Sequence, residues 1–285
     1  MTRPFSKLIG RTLVVGFVAA TTLTACSSGS SSVSADCKPA YGSFPTVSEG
    51  TLTVATYDFS PLTIVDGESL SGVEGDILNE IAKRQCLTLS ADAAGGANAS
   101  IPSVQTGRAD IPAGSWLRTA EREKIMRLGA PVYLSPNAVI STSGLTVDDL
   151  QGKKVGSVAG NLFNESLSKW LGDNFKIYQD DESLYGDLAN GRIDALVASS
   201  ITAKARFEDK PIDGATINDV TPVEQVPEFA KSGQVNFPTS KDHTELGETL
   251  DKLITDMHKD GTIEKILTKY DLDASLADVG EPNTL

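Results

Sequence analysis

The chain has 285 residues, with 25 basic and 38 acidic side chains and a formal net charge of −13 at pH 7. Such an acidic surface argues against binding to nucleic acid and against adhesion to anionic lipid surfaces. The length and a hydrophobic fraction of 40% suit one or two domains with a substantial core.

The N-terminal residues have the composition of an export signal. Arg3, Lys7 and Arg11 precede an uncharged apolar run over residues 12–25. A basic segment followed by a short apolar segment is typical of a cleaved signal peptide, here residues 1–25. The run is too short to span a bilayer as a permanent helix.

Cys26 directly follows Leu-Thr-Ala, and this junction resembles the lipobox of bacterial lipoproteins. The resemblance implies that Cys26 becomes the first mature residue and carries fatty acids such as palmitate on its sulfur and amine. The alternative is an ordinary cleaved signal with an incidental cysteine. Residues 27–35 are rich in Ser and Gly, which predicts a flexible tether within residues 26–48.

Cys37 and Cys86 remain once Cys26 is lipidated. Two cysteines in an exported body favour one disulfide, because the compartment is oxidising. Two separate thiols are the alternative.

The first half of the body alternates between strand and helix patterns. Apolar spacing and glycine positions predict a strand at 50–56, a helix after Gly75, a strand at 87–89, a helix at 101–107 and a strand at 109–113.

Arg122 stands out after these elements. Thr119 can cap a new helix whose first turn holds Glu121 and Arg122. The helix dipole disfavours an arginine there, so its planar guanidinium is a candidate partner for a carboxylate. A solvated surface arginine is the alternative.

The second half echoes the first. A strand at 152–158, a helix with Trp170 in its apolar stripe and a helix around 184–188 lead to a strand at 193–197. The pattern Gly-Arg-x-Asp occurs at residues 107–110 and again at residues 191–194, each time at the start of a predicted strand. This repetition predicts two α/β lobes with largely parallel sheets. Two C-terminal helices follow, and the tail after Leu272 is expected to be loose.

Together these segments resemble the family 3 extracellular solute-binding proteins of bacteria, which have the type II periplasmic-binding-protein fold. The resemblance covers about residues 49–271. It rests on eight segments in order: GTLTVAT (50–56), GVEGDILNEIAKR (72–84), IPSVQTGRAD (101–110), TAER (119–122), APVY (130–133), DLQGKKVGSVAG (149–160), NGRIDALV (190–197) and KDGTIEKILTKY (259–270).

The resemblance implies a two-lobed α/β fold in which two crossing strands form a hinge and the ligand binds in the cleft between the lobes. Ligand contacts to both lobes would favour the closed form. The expected parts are lobe 1 at 49–139 and 240–275, lobe 2 at 143–235, crossing strands near Ala138–Thr142 and Val235–Pro238, and a C-terminal tail at 276–285.

The resemblance also implies ligand contacts. Arg122 corresponds to the arginine that grips the ligand carboxylate, and Gly114 and Ser115 fall where backbone and hydroxyl groups meet the ligand. Asn161 and Leu162 lie in the lobe 2 turn that meets the same carboxylate. A plain helix N-cap is the alternative for Asn161.

Tyr57 and Phe59 fall where the family has residues that cover the ligand, and Asp58 between them is a possible partner for a ligand cation. Trp116 is expected to form a wall of the cleft, with a core position as the alternative. Asp76, by contrast, is expected to belong to the helix start.

Three positions depart from the amino-acid-binding pattern. Ser199 stands where many members have the Asp that holds the ligand ammonium, Leu117 replaces Ser or Thr, and Ala97 replaces an aromatic residue. Either Asp58 or Glu74 therefore supplies the missing charge, or the ligand has no free α-ammonium.

The resemblance implies a monomeric substrate-binding lipoprotein of an ABC importer, held at the outer face of the cell membrane. It would deliver a small carboxylate-bearing solute, an amino acid or a derivative, to a membrane permease. Two alternatives remain: a cyclohexadienyl- or arogenate-dehydratase-like enzyme with Glu74 or Asp58 as its acid, and an extracellular sensor. No catalytic residue, cofactor or metal site is expected, since the chain has two histidines and no ligand cluster.

Overall fold

The structure is a computed structural model that describes residues 33–34, 36–93 and 95–285. The predicted signal segment 1–25 and Cys26 lie outside these residues. Among the helices of the described ranges, none has the length and apolar character needed to cross a membrane.

Helices and strands alternate along most of the described chain. The helices are α1 (Gly72–Arg84), α2 (Gly96–Gln105), α3 (Ala120–Ile125), α4 (Asn164–Leu171), α5 (Asp181–Ala189), α6 (Ser200–Asp209), α7 (Thr244–Lys259) and α8 (Thr262–Lys269). The strands are β1 (Thr51–Ala55), β2 (Ile64–Asp66), β3 (Ser69–Ser71), β4 (Thr88–Asp92), β5 (Ile111–Pro112), β6 (Tyr133–Ser135), β7 (Asn137–Ser141), β8 (Val155–Val158), β9 (Phe175–Tyr178), β10 (Ala195–Ser199), β11 (Thr216–Asp219) and β12 (Gly233–Val235).

Lobe 1, residues 36–134 and 236–285, is built on a parallel sheet in the order β4-β1-β5. Leu52 and Val54 of β1 are fully buried. They share one core with the apolar stripes of α1, α7 and α8. The apolar stripe of α7, from Leu246 to Met257, lies in this core.

Lobe 2, residues 137–232, is built on a five-stranded sheet in the order β11-β7-β10-β8-β9. Strands β10, β8 and β9 are parallel, as expected, whereas β7 and β11 run antiparallel to their neighbours. Its apolar side chains form two buried clusters, one with α4 and one with α5. Trp170 packs against the first cluster, consistent with the core position expected for it.

The repeated Gly-Arg-x-Asp segments have the same structural role in both lobes. Asp110 accepts hydrogen bonds from the backbone N–H groups of Thr53 in β1, at 2.7 Å, and of Val47, at 2.8 Å. Asp194 accepts one from Lys154, just before β8, at 2.8 Å. Each aspartate therefore bonds the turn before its own strand to backbone groups in, or just before, a neighbouring strand.

The lobes are joined through β6 and β12, which pair antiparallel. The sequence placed the first crossing strand near 138–142, but those residues belong to β7 and β10 pairs with them inside lobe 2. The crossing segments are therefore near 133–136 and 233–236. The apolar alternation of β7 does not distinguish a hinge strand from the first strand of a sheet.

Residues 36–48 are bonded to the rest of lobe 1, so the expected flexible tether does not extend to residue 48. Cys37 and Cys86 form a disulfide. Tyr41 donates its backbone N–H to Gln85 Oε1 at 2.9 Å, and its hydroxyl bonds Asp256. These bonds attach the segment to the ends of α1 and α7.

The C-terminal tail is ordered by hydrogen bonds, and the expectation that it is loose is wrong. Leu272 and Ala277 are buried against the lobe 1 core. Residues 279–285 bond to Gln234 of β12 and to Arg118. The polar composition of the tail concealed these bonds, because they are made largely by backbone groups.

Candidate ligand-binding cleft

Arg122 lies in the first turn of α3, where the sequence placed it. Thr119 caps this helix, and its hydroxyl accepts the backbone N–H of Arg122 at 3.2 Å. Nη1 of Arg122 donates to the Leu117 carbonyl at 2.6 Å. The guanidinium carbon lies 4.8 Å from the centroid of the Trp116 ring, a distance typical of a cation–π contact.

This half-buried guanidinium is partly desolvated and has no acidic partner among the described residues. Burial lowers the pKa of Arg122, opposed by nearby Tyr57, although an arginine stays charged at neutral pH. Within the described residues the ion pairs involve other cations. Among the described residues, no group accepts a hydrogen bond from Nε or Nη2 of Arg122. The arrangement therefore presents positive charge and free donors suited to an anion.

Gly114 and Ser115 form a turn of unusual backbone geometry. Their φ angles are 127° and 58°, in the region that L side chains rarely adopt. A Cβ atom on Gly114 would lie 2.4 Å from Cε1 of Tyr57, and the Tyr57 hydroxyl donates to the Gly114 carbonyl at 2.8 Å. Holding a serine at a positive φ costs about 1–3 kcal/mol, so neighbouring bonds must stabilise this turn.

Glu74 provides that stabilisation. Its Oε2 accepts the backbone N–H of Gly114 and its Oε1 that of Ser115, both at 2.7 Å, and Oε1 also accepts the Tyr133 hydroxyl at 2.6 Å. Burial raises the pKa of Glu74, opposed by these three hydrogen bonds. The proposed role of Glu74 as a ligand contact is therefore corrected: the carboxylate lies behind the turn and holds it.

The aromatic pair after β1 lies beside this turn. The ring centroids of Tyr57 and Phe59 are 5.7 Å apart, and burial raises the pKa of Tyr57 to about 12, with the charge of Glu74 adding to the shift. Asp58, between them, is exposed to solvent. Of the acids named from the sequence for this region, Asp58 is thus the one open to a solute.

On lobe 2, the turn before α4 presents backbone rather than side-chain groups. Asn161 donates its side-chain amide to Ser157 at 2.9 Å, and α4 begins at Asn164, so Asn161 does not cap the helix. In this part of the described chain, the backbone N–H groups of residues 160–163 have no acceptor. Leu162 is 39% exposed. Such a set of free N–H groups at a helix start favours an anion.

Two buried polar atoms at predicted site residues lack partners. One is Nε1 of Trp116 in lobe 1, and the other is Oγ of Ser199, at the end of β10 in lobe 2. Buried polar groups normally have hydrogen-bond partners, so each of these atoms has unused hydrogen-bonding capacity at a predicted site residue.

Sequence reasoning missed two residues that hold this region. Tyr133 bonds Glu74 from 59 positions away, and Asn236 donates its backbone and side-chain N–H groups to the Trp116 carbonyl at 3.0 and 2.8 Å. Tyr133 belongs to a segment that carried the family resemblance, and a tyrosine in a buried strand needs a partner for its hydroxyl. No local pattern indicated which residue that partner is.

Comparison with known proteins gives consistent matches. Residues 52–273 match the family described as bacterial extracellular solute-binding proteins, family 3. The probable amino-acid-binding protein YxeM of Bacillus subtilis is 27% identical over 261 residues, which cover 87% of this chain and 89% of YxeM. The lysine/arginine/ornithine-binding periplasmic protein of Escherichia coli is 26% identical over 242 residues, covering 81% and 89%.

Solved structures show the same fold. The amino acid ABC transporter substrate-binding protein AbpA of Streptococcus pneumoniae, bound to L-arginine, superposes with a TM-score of 0.64 at 27% identity, covering 80% of this chain and 97% of AbpA. The sequence match spans both lobes and both crossing strands. The chain therefore belongs to the family 3 bacterial extracellular solute-binding proteins.

Proposed function

We propose that this protein is the substrate-binding lipoprotein of an ABC importer. It captures a small carboxylate-bearing solute, an amino acid or a derivative, in the cleft between its lobes and closes around it. The closed form delivers the solute to a membrane permease. Lipid on Cys26 holds the mature chain at the outer face of the cell membrane.

The observation that carries this proposal is the state of Arg122. A partly desolvated guanidinium with free donors, 4.8 Å from the Trp116 ring centroid, is costly to maintain unless an anion binds it. Its planar geometry matches a carboxylate held by two parallel hydrogen bonds. The free N–H groups of residues 160–163 supply a second set of donors from lobe 2.

The relatives narrow the solute class. YxeM, the E. coli lysine/arginine/ornithine-binding protein and AbpA are each named for amino-acid binding or transport. In this chain Glu74 is occupied by protein donors and Ser199 is neutral, so Asp58 is the candidate acid for a ligand ammonium. An exposed carboxylate contributes little to such a pair. The site is thus better suited to the carboxylate than to the ammonium.

An enzyme on this scaffold is the less supported reading. A dehydratase needs a general acid in the cleft, within hydrogen-bond reach of its substrate. Glu74 is directed at Gly114 and Ser115, which leaves Asp58 for that role. The relatives reported above are named as binding proteins.

The test is a thermal-shift screen of amino acids, N-acylated amino acids, betaines, and keto and hydroxy acids, followed by calorimetry on Arg122→Ala. Loss of a buried ion-pair partner costs about 3 kcal/mol, so the affinity should fall about 100-fold. Arg108→Ala is the matched control, because Arg108 is exposed outside the cleft and bonds only Thr106 through its side chain. Equal affinity in Arg122→Ala and the wild type would rule out this anchor.

A further inference from the structure

Residues 279–285, which we call the C-terminal strap, are bonded to the crossing strand β12. Gln234 of β12 is only 1% exposed. Its Nε2 donates to the carbonyls of Val279 and Glu281 at 2.7 and 2.9 Å, and its Oε1 accepts the backbone N–H of Asn283 at 2.8 Å. The hydrogen-bonding groups of this side chain are therefore directed to the backbone of the strap.

The other end of the strap bonds to the segment that precedes Arg122. Arg118 donates Nε to the Asn283 carbonyl at 3.0 Å. The backbone of Leu285 donates to the Arg118 carbonyl at 3.1 Å and accepts the N–H of Ala120 at 3.2 Å. Arg118 also donates its backbone N–H to the Gln234 carbonyl at 2.9 Å. The segment 118–120 is thus bonded both to β12 and to the strap.

This segment determines where the Arg122 guanidinium lies. Leu117, next to it, accepts Nη1 of Arg122, and Thr119, within it, caps the helix that carries the arginine. Helix α3 has six residues, none of them buried. A helix this short is only marginally stable without tertiary contacts. Its position therefore depends on the hydrogen bonds around its first turn.

We propose that the C-terminal strap is a positioning element of the binding site. It fixes segment 118–120 against β12 and so holds the Arg122 guanidinium ready for an anion before any ligand arrives. The side chain of Gln234 in β12 and the backbone groups of Asn283 in the strap make the positioning contacts. Holding the arginine in advance removes an ordering cost from binding.

Hydrogen exchange tests the strap without any ligand. Deletion of residues 279–285 should accelerate amide exchange in 117–122 at least tenfold, because Ala120 loses its acceptor. Exchange in α7 and in β7 should stay within twofold of the wild type. Unchanged exchange in 117–122, or equal acceleration throughout lobe 1, overturns the proposal. Thr284→Ala, at an exposed residue of the strap, is the control.

A point variant guards against failure of the deletion variant to fold. Asn283→Pro removes the backbone N–H that Gln234 accepts, whereas Asn283→Ala retains it. The proline variant should show the faster exchange in 117–122 and the alanine variant should not. Identical exchange in the two variants contradicts the proposed role of Asn283.

The ligand measurement rests on the proposed function. With the best carboxylate from the screen, strap deletion should weaken binding about tenfold in the wild type and less than twofold in Arg122→Lys. An unchanged affinity in the wild type overturns the positioning role while the proposed function stands. If no carboxylate binds the intact protein, the proposed function fails, and hydrogen exchange alone decides the strap.

Discussion

Glu74 joins three parts of lobe 1 through one buried carboxylate. Its oxygens accept the N–H groups of Gly114 and Ser115 and the hydroxyl of Tyr133. Tyr133 lies in β6, so the same carboxylate bonds both the turn at Gly114 and Ser115 and a crossing strand. The turn keeps its positive φ angles because these bonds offset the local strain.

Replacing Glu74 with Gln tests this role. The single oxygen of the new amide still accepts a backbone N–H. The NH₂ group, however, replaces the other carboxylate oxygen and faces a second donor, which is left without an acceptor. The unfolding free energy should fall by about 1–3 kcal/mol in denaturant titrations. Glu68→Gln, at an exposed position, should change it by less than about 0.5 kcal/mol. Equal stability of the two variants contradicts the supporting role of Glu74.

At the scale of elements, the repeated Gly-Arg-x-Asp segments have a structural explanation. They predicted two α/β lobes because each lies between a helix and a strand. The structure gives the reason: Gly107 and Gly191 have φ angles of 69° and 63°, and each aspartate then bonds the backbone beside a neighbouring strand. A positive-φ turn plus one acceptor is a local requirement, so it is visible in sequence.

The two aspartates should contribute unequally. Asp110 is fully buried and accepts two N–H groups, whereas Asp194 is exposed and accepts one. Asp110→Asn should lower the unfolding free energy by about 1–3 kcal/mol, because one donor loses its acceptor without access to water. Asp194→Asn should lower it by less than about 1 kcal/mol, since water can replace the bond. Urea midpoints of the two variants measure the difference, and similar losses refute this reading.

Contacts between distant elements were not predictable from the sequence in the same way. Tyr133 lies 59 residues from Glu74, and Asn283 lies 49 residues from Gln234. Arg122, Thr119 and the aromatic pair follow from local patterns and the family resemblance. The partners of Glu74 do not, because burial of a carboxylate depends on which elements pack over it. The sequence therefore offered Glu74 as a charge partner for the ligand, whereas its carboxylate accepts hydrogen bonds from protein groups.

At the scale of the whole molecule, each lobe presents one set of hydrogen-bond donors that have no acceptor among the described residues. Arg122 belongs to lobe 1 and the free N–H groups of residues 160–163 to lobe 2. A carboxylate that bonds both sets favours the closed arrangement by the free energy of the second set. Closure should therefore depend on lobe 2 donors even when Arg122 is intact.

Leu162 offers a direct test of that dependence. Its side chain is 39% exposed, so Leu162→Pro removes one of the free N–H groups with little change to the core. Leu162→Ala shortens the side chain and keeps the N–H group. A hydrogen bond to a charged group contributes about 1.5 kcal/mol, so the proline variant should bind about tenfold more weakly. The alanine variant should stay within about twofold.

Small-angle scattering completes the test of closure. At saturating ligand the radius of gyration of the wild type and of Leu162→Ala should decrease, because hinge bending brings the lobes together. At the same fractional occupancy, Leu162→Pro should show a smaller decrease in the radius of gyration. With one lobe 2 donor removed, the bound ligand favours the closed form over the open form by a smaller free-energy difference. A ligand at 100 times its Kd should still stabilise each variant by about 2.7 kcal/mol against unfolding, which confirms occupancy independently of shape. If the proline variant binds and contracts like the wild type, the carboxylate does not engage the turn at 160–163 and closure is driven by other contacts.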